Sequence, residues 1–288
     1  MSPGLEISIR LGCFLGVLLL MAAWEFAAPR RRLQVKRPRR WASNLLLVAI
    51  NTGVVRVLVP LTAVAAALWA ESRDWGLLHV VDLPMGIEVV LAVVALDLAI
   101  YVQHVLFHKV PLLWRMHLVH HADLDIDVTT GVRFHTLEIL LSTLIKIGVV
   151  VLLGAPALAV LVFEVLLNAT SMFNHSNINL PVWLDRLMRL VVVTPDMHRV
   201  HHSVVPRETN SNFGFNLPWW DRLFRTYRPQ PEAGHQRMQI GLTPLRDERQ
   251  VDRLPGMLLL PFRWRSDPGA NGPENDHEPK AAASNENE

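Results

Sequence analysis

The sequence predicts an all-α integral membrane protein: a transmembrane helical bundle with a cytosolic helical cap rich in histidine. Three observations predict it. Apolar residues make up 51% of the 288 and gather in long blocks, as a bilayer demands and a soluble core does not. Seven basic residues (Arg30, Arg31, Arg32, Lys36, Arg37, Arg39 and Arg40) crowd between the first two blocks. Ten of the 13 histidines fall between His104 and His202.

The first apolar run is Leu11 to Ala28. A cleaved signal peptide is the alternative, since Ala22-Ala23 and Ala27-Ala28 offer small residues for a cut. Glu6 and the three arginines that follow the run argue for an anchored helix. Ser43 to Ala70 is a second span, interrupted by Arg56 and expected to tilt or kink before Pro60. Gly86 to Phe107 is a third. Leu137 to Leu153 and Ala157 to Leu167, joined by Gly154-Ala155-Pro156, each fall below a standard crossing and read as a helical hairpin that dips deep into the membrane or just spans it.

Charge sets an orientation. With the Arg30–Arg40 loop in the cytoplasm, the second span exits and residues 71–85 lie outside. The third span then returns, and the hairpin goes out and back. Every histidine cluster lands on the cytoplasmic face, and the membrane is taken as a bacterial inner (plasma) membrane. The pI near 9.0 therefore reports topology, not a nucleic-acid partner, for which aromatic residues interleaved with basic ones are missing. Cys13 is the lone cysteine, which excludes disulfides, cysteine-ligated iron–sulfur clusters and Cys-type structural zinc.

His104 and His108 are four apart and share a helix face. His117, His120 and His121 form an HxxHH string, and His198, His201 and His202 repeat it. Imidazole is a common neutral ligand, and pairs spaced i, i+3 or i+4 can grip one ion from one helix. Eight such residues are too many for one tetrahedral zinc. Two ions of higher coordination number fit better, and iron is favoured because it is also redox-active. His175 is a ninth candidate ligand. His135 is open between metal ligand, support for a ligand and substrate contact. Asp97 and Tyr101 precede His104 on its helix, and Asp97, costly inside a span, is read as a hydrogen-bond partner of a ligating imidazole or as a polar contact between helices. His79, His235 and His277 are read as satisfied core residues.

These residues resemble the fatty acid hydroxylase and sterol desaturase superfamily. The matching text is Asp97-x3-Tyr101-x2-His104-x3-His108, then His117-x2-His120-His121, then His198-x2-His201-His202-Ser203. Asn212-Phe213-Gly214 and Trp220-Asp221-Arg222-Leu223-Phe224-Arg225-Thr226-Tyr227 resemble the end motif of that family. Arg225 stands where glycine is expected, and the spacing from His108 to His117 is compact. The resemblance implies a four-helix membrane core, two irons held by histidines, O2 as co-substrate, and hydroxylation or desaturation of an acyl chain, sterol or related lipid. It divides the chain into N-terminal spans with their basic loop (1–85), a catalytic domain (86–230), a cytosolic extension (231–264) and a disordered tail (265–288).

The chain has no G-x-G-x-x-G fingerprint and no C-x-x-C-H haem site. Electrons are therefore expected from a separate cytochrome- or ferredoxin-type donor with its reductase. A zinc protease would show H-E-x-x-H, which does not occur. A histidine-rich metal transporter would place ligands near mid-bilayer, and a non-catalytic metal- or haem-binding membrane protein would need fewer histidines. These two remain the alternatives.

Overall fold

The computed structural model describes residues 3–264; the tail expected to be disordered, and His277 within it, lie outside the described residues. Among the described residues the chain is helical, with isolated bridges in place of strands. Five stretches are long and apolar enough to cross a membrane: 4–27, 37–71, 85–109, 136–153 and 157–175. The protein is a multi-pass integral membrane protein. Leu19, Leu20, Val90, Leu144 and Leu152 stay exposed on these stretches, as lipid-facing side chains do.

The first helix, α1, runs from Pro3 to Ala27. α2 (Arg37–Leu58) opens with proline in its first turn and ends just before Pro60, which has no N–H to continue the ladder. Thr62 restarts the chain by accepting a bond from the Ala65 N–H, capping α3 (Ala63–Glu71). α4 (Met85–Lys109) is the long central span. Val110 is extended and Pro111 occupies the first turn of α5 (Pro111–His121), so the compact spacing after His108 is a sharp corner between two helices.

The two hairpin arms are α6 (Thr136–Leu153) and α7 (Ala157–His175). Gly154 ends α6 in a left-handed conformation, φ 63°, where a Cβ would also collide with the Trp75 carbonyl. The second arm is longer than its apolar run suggests. Past Leu167 its polar side chains turn inward: the Ser171 hydroxyl donates to the Gly131 carbonyl and the Asn174 amide to the Phe215 carbonyl. His175 therefore sits in the last helical turn and not after it.

α3, α4, α6 and α7 share a core of Ala63, Ala67, Ala92, Leu96, Val150, Ala159 and Phe163. Its small residues let the helix axes approach closely. Beyond the spans come α8 (Val182–Met188), α9 (Pro195–His201), α10 (Pro206–Thr209), α11 (Trp219–Leu223), α12 (Gly234–Arg237), α13 (Glu248–Val251) and α14 (Leu254–Arg263). α14 packs on α5 around Trp114, Leu118, Val251, Met257 and Leu260. This second core seats the cap on the ends of the spans.

The basic loop is only partly a surface feature. The guanidinium of Arg40 is buried, with Nε 2.7 Å from Asp123 Oδ1 and Nη1 2.8 Å from Asp127 Oδ2. Arg31 is buried and donates to the Met238 carbonyl at 3.0 Å, and Arg30 pairs with Asp196 at 3.0 Å. Three of the seven cations thus hold the cap to the bundle, while Arg32, Lys36 and Arg39 remain exposed.

Candidate dimetal centre

α4 and α5 meet so that two histidine pairs face each other in register. His104 Nε2 lies 3.1 Å from His117 Nε2, and His108 Nε2 lies 3.1 Å from His121 Nε2. Each pair is thirteen residues apart in sequence, because both helices repeat the four-residue step. On the other side His175 Nε2 lies 3.1 Å from His120 Nε2 and 3.0 Å from His198 Nε2. Thr194 caps α9 and Pro195 fills its first turn, which places His198 and His201 one turn apart.

The nine imidazoles sort into two groups. His104, His108, His117, His121 and His201 form one; His120, His175, His198 and His202 form the other. Within each group the ligand atoms lie within 4.8 Å of one another. HxxHH is thus split in space: the first and third histidines of His117-x2-His120-His121 serve one group and the middle one serves the other.

Hydrogen bonds behind the rings fix the tautomers. The Nδ1–H of His104 donates to the Phe213 carbonyl at 2.7 Å, and that of His175 to the Ser171 carbonyl at 2.7 Å. The Nδ1–H of His120 donates to the Arg133 carbonyl at 3.2 Å and that of His201 to the Ser211 carbonyl at 2.7 Å. The Nδ1–H of His117 donates to Glu138 Oε1 at 2.7 Å. These oxygens accept, so Nδ1 carries a proton and, in a neutral ring, Nε2 carries a lone pair.

The consequence is decisive for the fit to metal. His104 and His117 point two lone pairs at each other across 3.1 Å, as do His120 and His175. Such pairs repel unless a cation lies between them. His201 Nε2 and both nitrogens of His202 are buried with no hydrogen-bond partner, and a bound cation removes that cost at the nitrogen of each ring that carries the lone pair. With metal–nitrogen bonds of about 2.1 Å, ligands at right angles sit about 3.0 Å apart and at tetrahedral angles about 3.4 Å apart. The observed 3.0–3.1 Å separations fall in that range, so the two nitrogens of each pair are close enough to share one ion. Burial first, then crowding by neighbouring rings, pushes His120, His121, His198 and His202 well below the ordinary histidine pKa. Burial lowers His201 to about 3. All five rings are held neutral, the state that ligates.

The remaining candidates lie elsewhere. His135 caps α6, accepting from the Leu137 N–H through Nδ1 while Nε2 donates to the Leu258 carbonyl. Both nitrogens are engaged, and it belongs to neither histidine group. Asp97 bonds no imidazole. Its carboxylate accepts from the Trp220 indole at 2.8 Å and from the Asn216 and Leu217 N–H groups. The Tyr101 hydroxyl lies 2.9 Å from Thr226 Oγ1. Both tie α4 to the segment that carries the end motif, whose N–H groups at Asn216 and Leu217 need acceptors more than a ring already bonded to Phe213 does. His235 is buried but unsatisfied, 3.6 Å from Asp196, and His79 Nε2 likewise lacks a partner.

Several contributors escaped the sequence. Glu138 stands three residues after His135, yet it is Glu138 that touches a ring. Asp123, Asp125 and Asp127 follow His121 directly, and the alternation was the available signal. Asp123 and Asp127 hold Arg40, and Asp125 accepts from the Val35 N–H at 2.8 Å. Burial alone would raise the Asp123 carboxyl, but Arg40 and Arg133 prevail and hold it down to about 2. Glu25 of α1 accepts from the N–H groups of both Val128 and Asn177 at 2.7 Å, joining the two loops that flank the centre.

The family pattern described as fatty acid hydroxylase matches residues 89–226, the stretch that carries all nine imidazoles. Residues 89–226 are thus similar to the fatty acid hydroxylase family. It is 29% identical to ornithine lipid hydroxylase OlsE of Rhizobium tropici over 244 residues, covering 80% of this chain and 70% of that protein. It is 29% identical to cholesterol 25-hydroxylase of Rattus norvegicus over 239 residues, covering 81% of this chain and 79% of that protein. Similarity to alkylglycerol monooxygenase of Danio rerio is 25% over 200 residues, 66% of this chain but 42% of that longer protein. No solved structure matches.

The backbone accounts for the glycine expected at Arg225. That residue has φ 59°, a left-handed conformation that costs a non-glycine residue about 1–2 kcal/mol. The turn lets the Thr226 hydroxyl reach Asp221 Oδ1 at 2.7 Å. Asp221 also accepts from the Phe213 and Gly214 N–H groups, which fixes the carbonyl that orients His104.

Proposed function

We propose that this membrane oxidoreductase is a di-iron oxygenase that uses O2 to hydroxylate or desaturate a lipid. The observation that carries the reading is the pair of opposed Nε2 lone pairs, His104 against His117 and His120 against His175. The nine residues His104, His108, His117, His121 and His201, with His120, His175, His198 and His202, would hold two irons. Nine imidazole donors exceed the eight that two tetrahedral zinc ions would take, which supports two ions of higher coordination number such as iron. Bound iron would supply the redox chemistry that turns O2 against an unactivated C–H bond.

The protein's own groups do the rest. A cavity of about 1120 Å³ reaches His104 and His117 from between α1, α2, α4, α6 and α7. Phe107, Phe134 and Phe215 line it beside those rings, and Phe134 stacks on His120 with ring centroids 4.5 Å apart. These rings exclude water and present an apolar wall to a hydrocarbon chain. Glu138 holds the His117 proton on Nδ1, and the carbonyls of Phe213, Arg133, Ser171 and Ser211 do the same for their partners, so no ring needs to turn during turnover.

Lipid as substrate class is supported by the cavity's place among membrane spans and by relatives named as lipid and sterol hydroxylases. Electrons would come from a separate cytochrome- or ferredoxin-type donor. The basic loop meets a histidine-bearing helix where Arg30 pairs with Asp196 of α9, which supports a cytoplasmic active site in a bacterial inner membrane. Residues 86–230 would be the catalytic unit, 1–85 the N-terminal spans and 231–264 an extension that buttresses the cap.

Metal analysis of the purified protein, with oxygen uptake in the presence of lipid and reductant, tests the proposal. Two irons per chain and lipid-dependent uptake are expected. His120→Ala and His201→Ala alter different groups, so each should lower iron toward one per chain and abolish lipid oxidation. Stoichiometric zinc without iron, and no oxygen uptake, would overturn it.

A further inference from the structure

Four charged side chains meet inside the membrane, far from the histidines. Arg10 of α1 donates to Glu6 at 2.9 Å and pairs with Glu164 of α7 at 2.6 Å. Lys146 of α6 pairs with the other oxygen of Glu164. The quartet bridges the two hairpin arms and α1. At 1.5 Å per residue, Lys146 lies about 12 Å along α6 from Glu138, and Glu164 about 16 Å along α7 from His175. Ionised groups at such depth are costly and tend to serve a function.

All four line the same cavity that reaches His104 and His117. Polar neighbours Gln103, Ser142 and Asn168 share that wall, whereas a chamber built only for hydrocarbon would be apolar there. Gln103 bonds Ser142 at 2.9 Å. Lys146 has three donor positions and remains partly open to the cavity, with 19% of its side chain accessible.

We propose that the quartet is the recognition site for the polar end of the substrate, which lies deep in the membrane while the hydrocarbon extends toward the histidines. This rests on the lipid-oxygenase reading for the cavity's role as substrate chamber. Two cations and two anions leave the quartet with no net charge. An added lone carboxylate or ammonium would be a buried, uncompensated charge, so the site selects an uncharged hydrogen-bonding end such as a hydroxyl. Glu138, the other acid on the wall, is committed to His117. Arg56 also lines the cavity and is exposed. The distance between quartet and centre then acts as a ruler that sets which carbon is presented.

The test uses full-length metal-loaded protein in detergent, mixed with equimolar 1-hexadecanol, palmitate and hexadecylamine, with bound species counted by native mass spectrometry. Hexadecanol should be preferred about tenfold over both charged probes, equivalent to about 1.4 kcal/mol. Glu164→Gln leaves a net positive quartet and should shift preference to palmitate; Lys146→Gln should shift it to hexadecylamine. Equal binding of the three probes by the native protein, or unchanged selectivity in both variants, would show a mere staple between helices and overturn the proposal. Binding is read without turnover, so selective binding with no lipid oxidation counts against the oxygenase reading alone. Iron-dependent oxidation without head-group selectivity counts against the quartet alone.

Discussion

His117 Nδ1 and Glu138 Oε1 are 2.7 Å apart, and both side chains are buried, with 2% and 6% accessible. The contact links the end of α5 to the first turn of α6. Removing such a partner behind a ligating ring typically costs about 10–100-fold in metal affinity or activity. Glu138→Gln should therefore keep the fold but lose iron to a chelator at least tenfold faster than the native protein. The loss should fall on the five-histidine group, leaving about one iron per chain.

Asp97 makes a different prediction because it supports a loop and not a ring. Asp97→Ala leaves the Trp220 indole and two backbone N–H groups without their acceptor, at about 1–3 kcal/mol for a buried unsatisfied group. Hydrogen exchange should accelerate across residues 212–227, with little change across α5. Iron content should fall less than in Glu138→Gln.

Arg225→Gly removes the left-handed penalty at φ 59°. Thermal unfolding should show a gain of about 1 kcal/mol, offset in part by the greater freedom of glycine in the unfolded chain. Arg225→Ala, which retains the Cβ, should show no such gain.

Asp221 sets a pH dependence. Burial raises its pKa from 3.8 to about 6, against the opposing effect of three hydrogen-bond donors. The folded state thus holds this proton more tightly than the unfolded chain. Its contribution is full below pH 3.8 and is lost as pH rises through about 6, a change of up to about 3 kcal/mol. Unfolding followed by tryptophan fluorescence should show this fall between pH 4 and 6, and Asp221→Asn should flatten it.

How much was legible in the sequence depended on the distance over which each signal acts. The spans are local sums of apolarity, and the i, i+3 and i+4 histidines are local helix geometry. Both could be read directly. The split of HxxHH between two groups could not, since it depends on the angle at which α5 leaves α4 after Pro111. His135 looked like His175, yet one caps a helix and the other faces three imidazoles. Arg30, Arg31 and Arg40 looked like a solvent-exposed topology signal because their partners, Asp196, Met238 and Asp123, are 83 to 207 residues away. Asp97 was read as a ring partner because its helix position allows that; the N–H groups that claim it belong to a loop about 120 residues downstream.

The pairing of Arg40 with Asp123 also constrains how the protein is made. Arg40 leaves the ribosome 83 residues before the carboxylate that neutralises it. At about 5–20 residues per second, that is a delay of about 4–17 s. Throughout it a guanidinium at the head of the second span has no internal counter-ion and must stay in contact with water or lipid head groups. The loop after α5 therefore cannot close over the head of the second span until those carboxylates have emerged. Arg40 is covered only later, once the acidic run that follows His121 has been synthesised, so packing of the cap against α2 is a late step of folding.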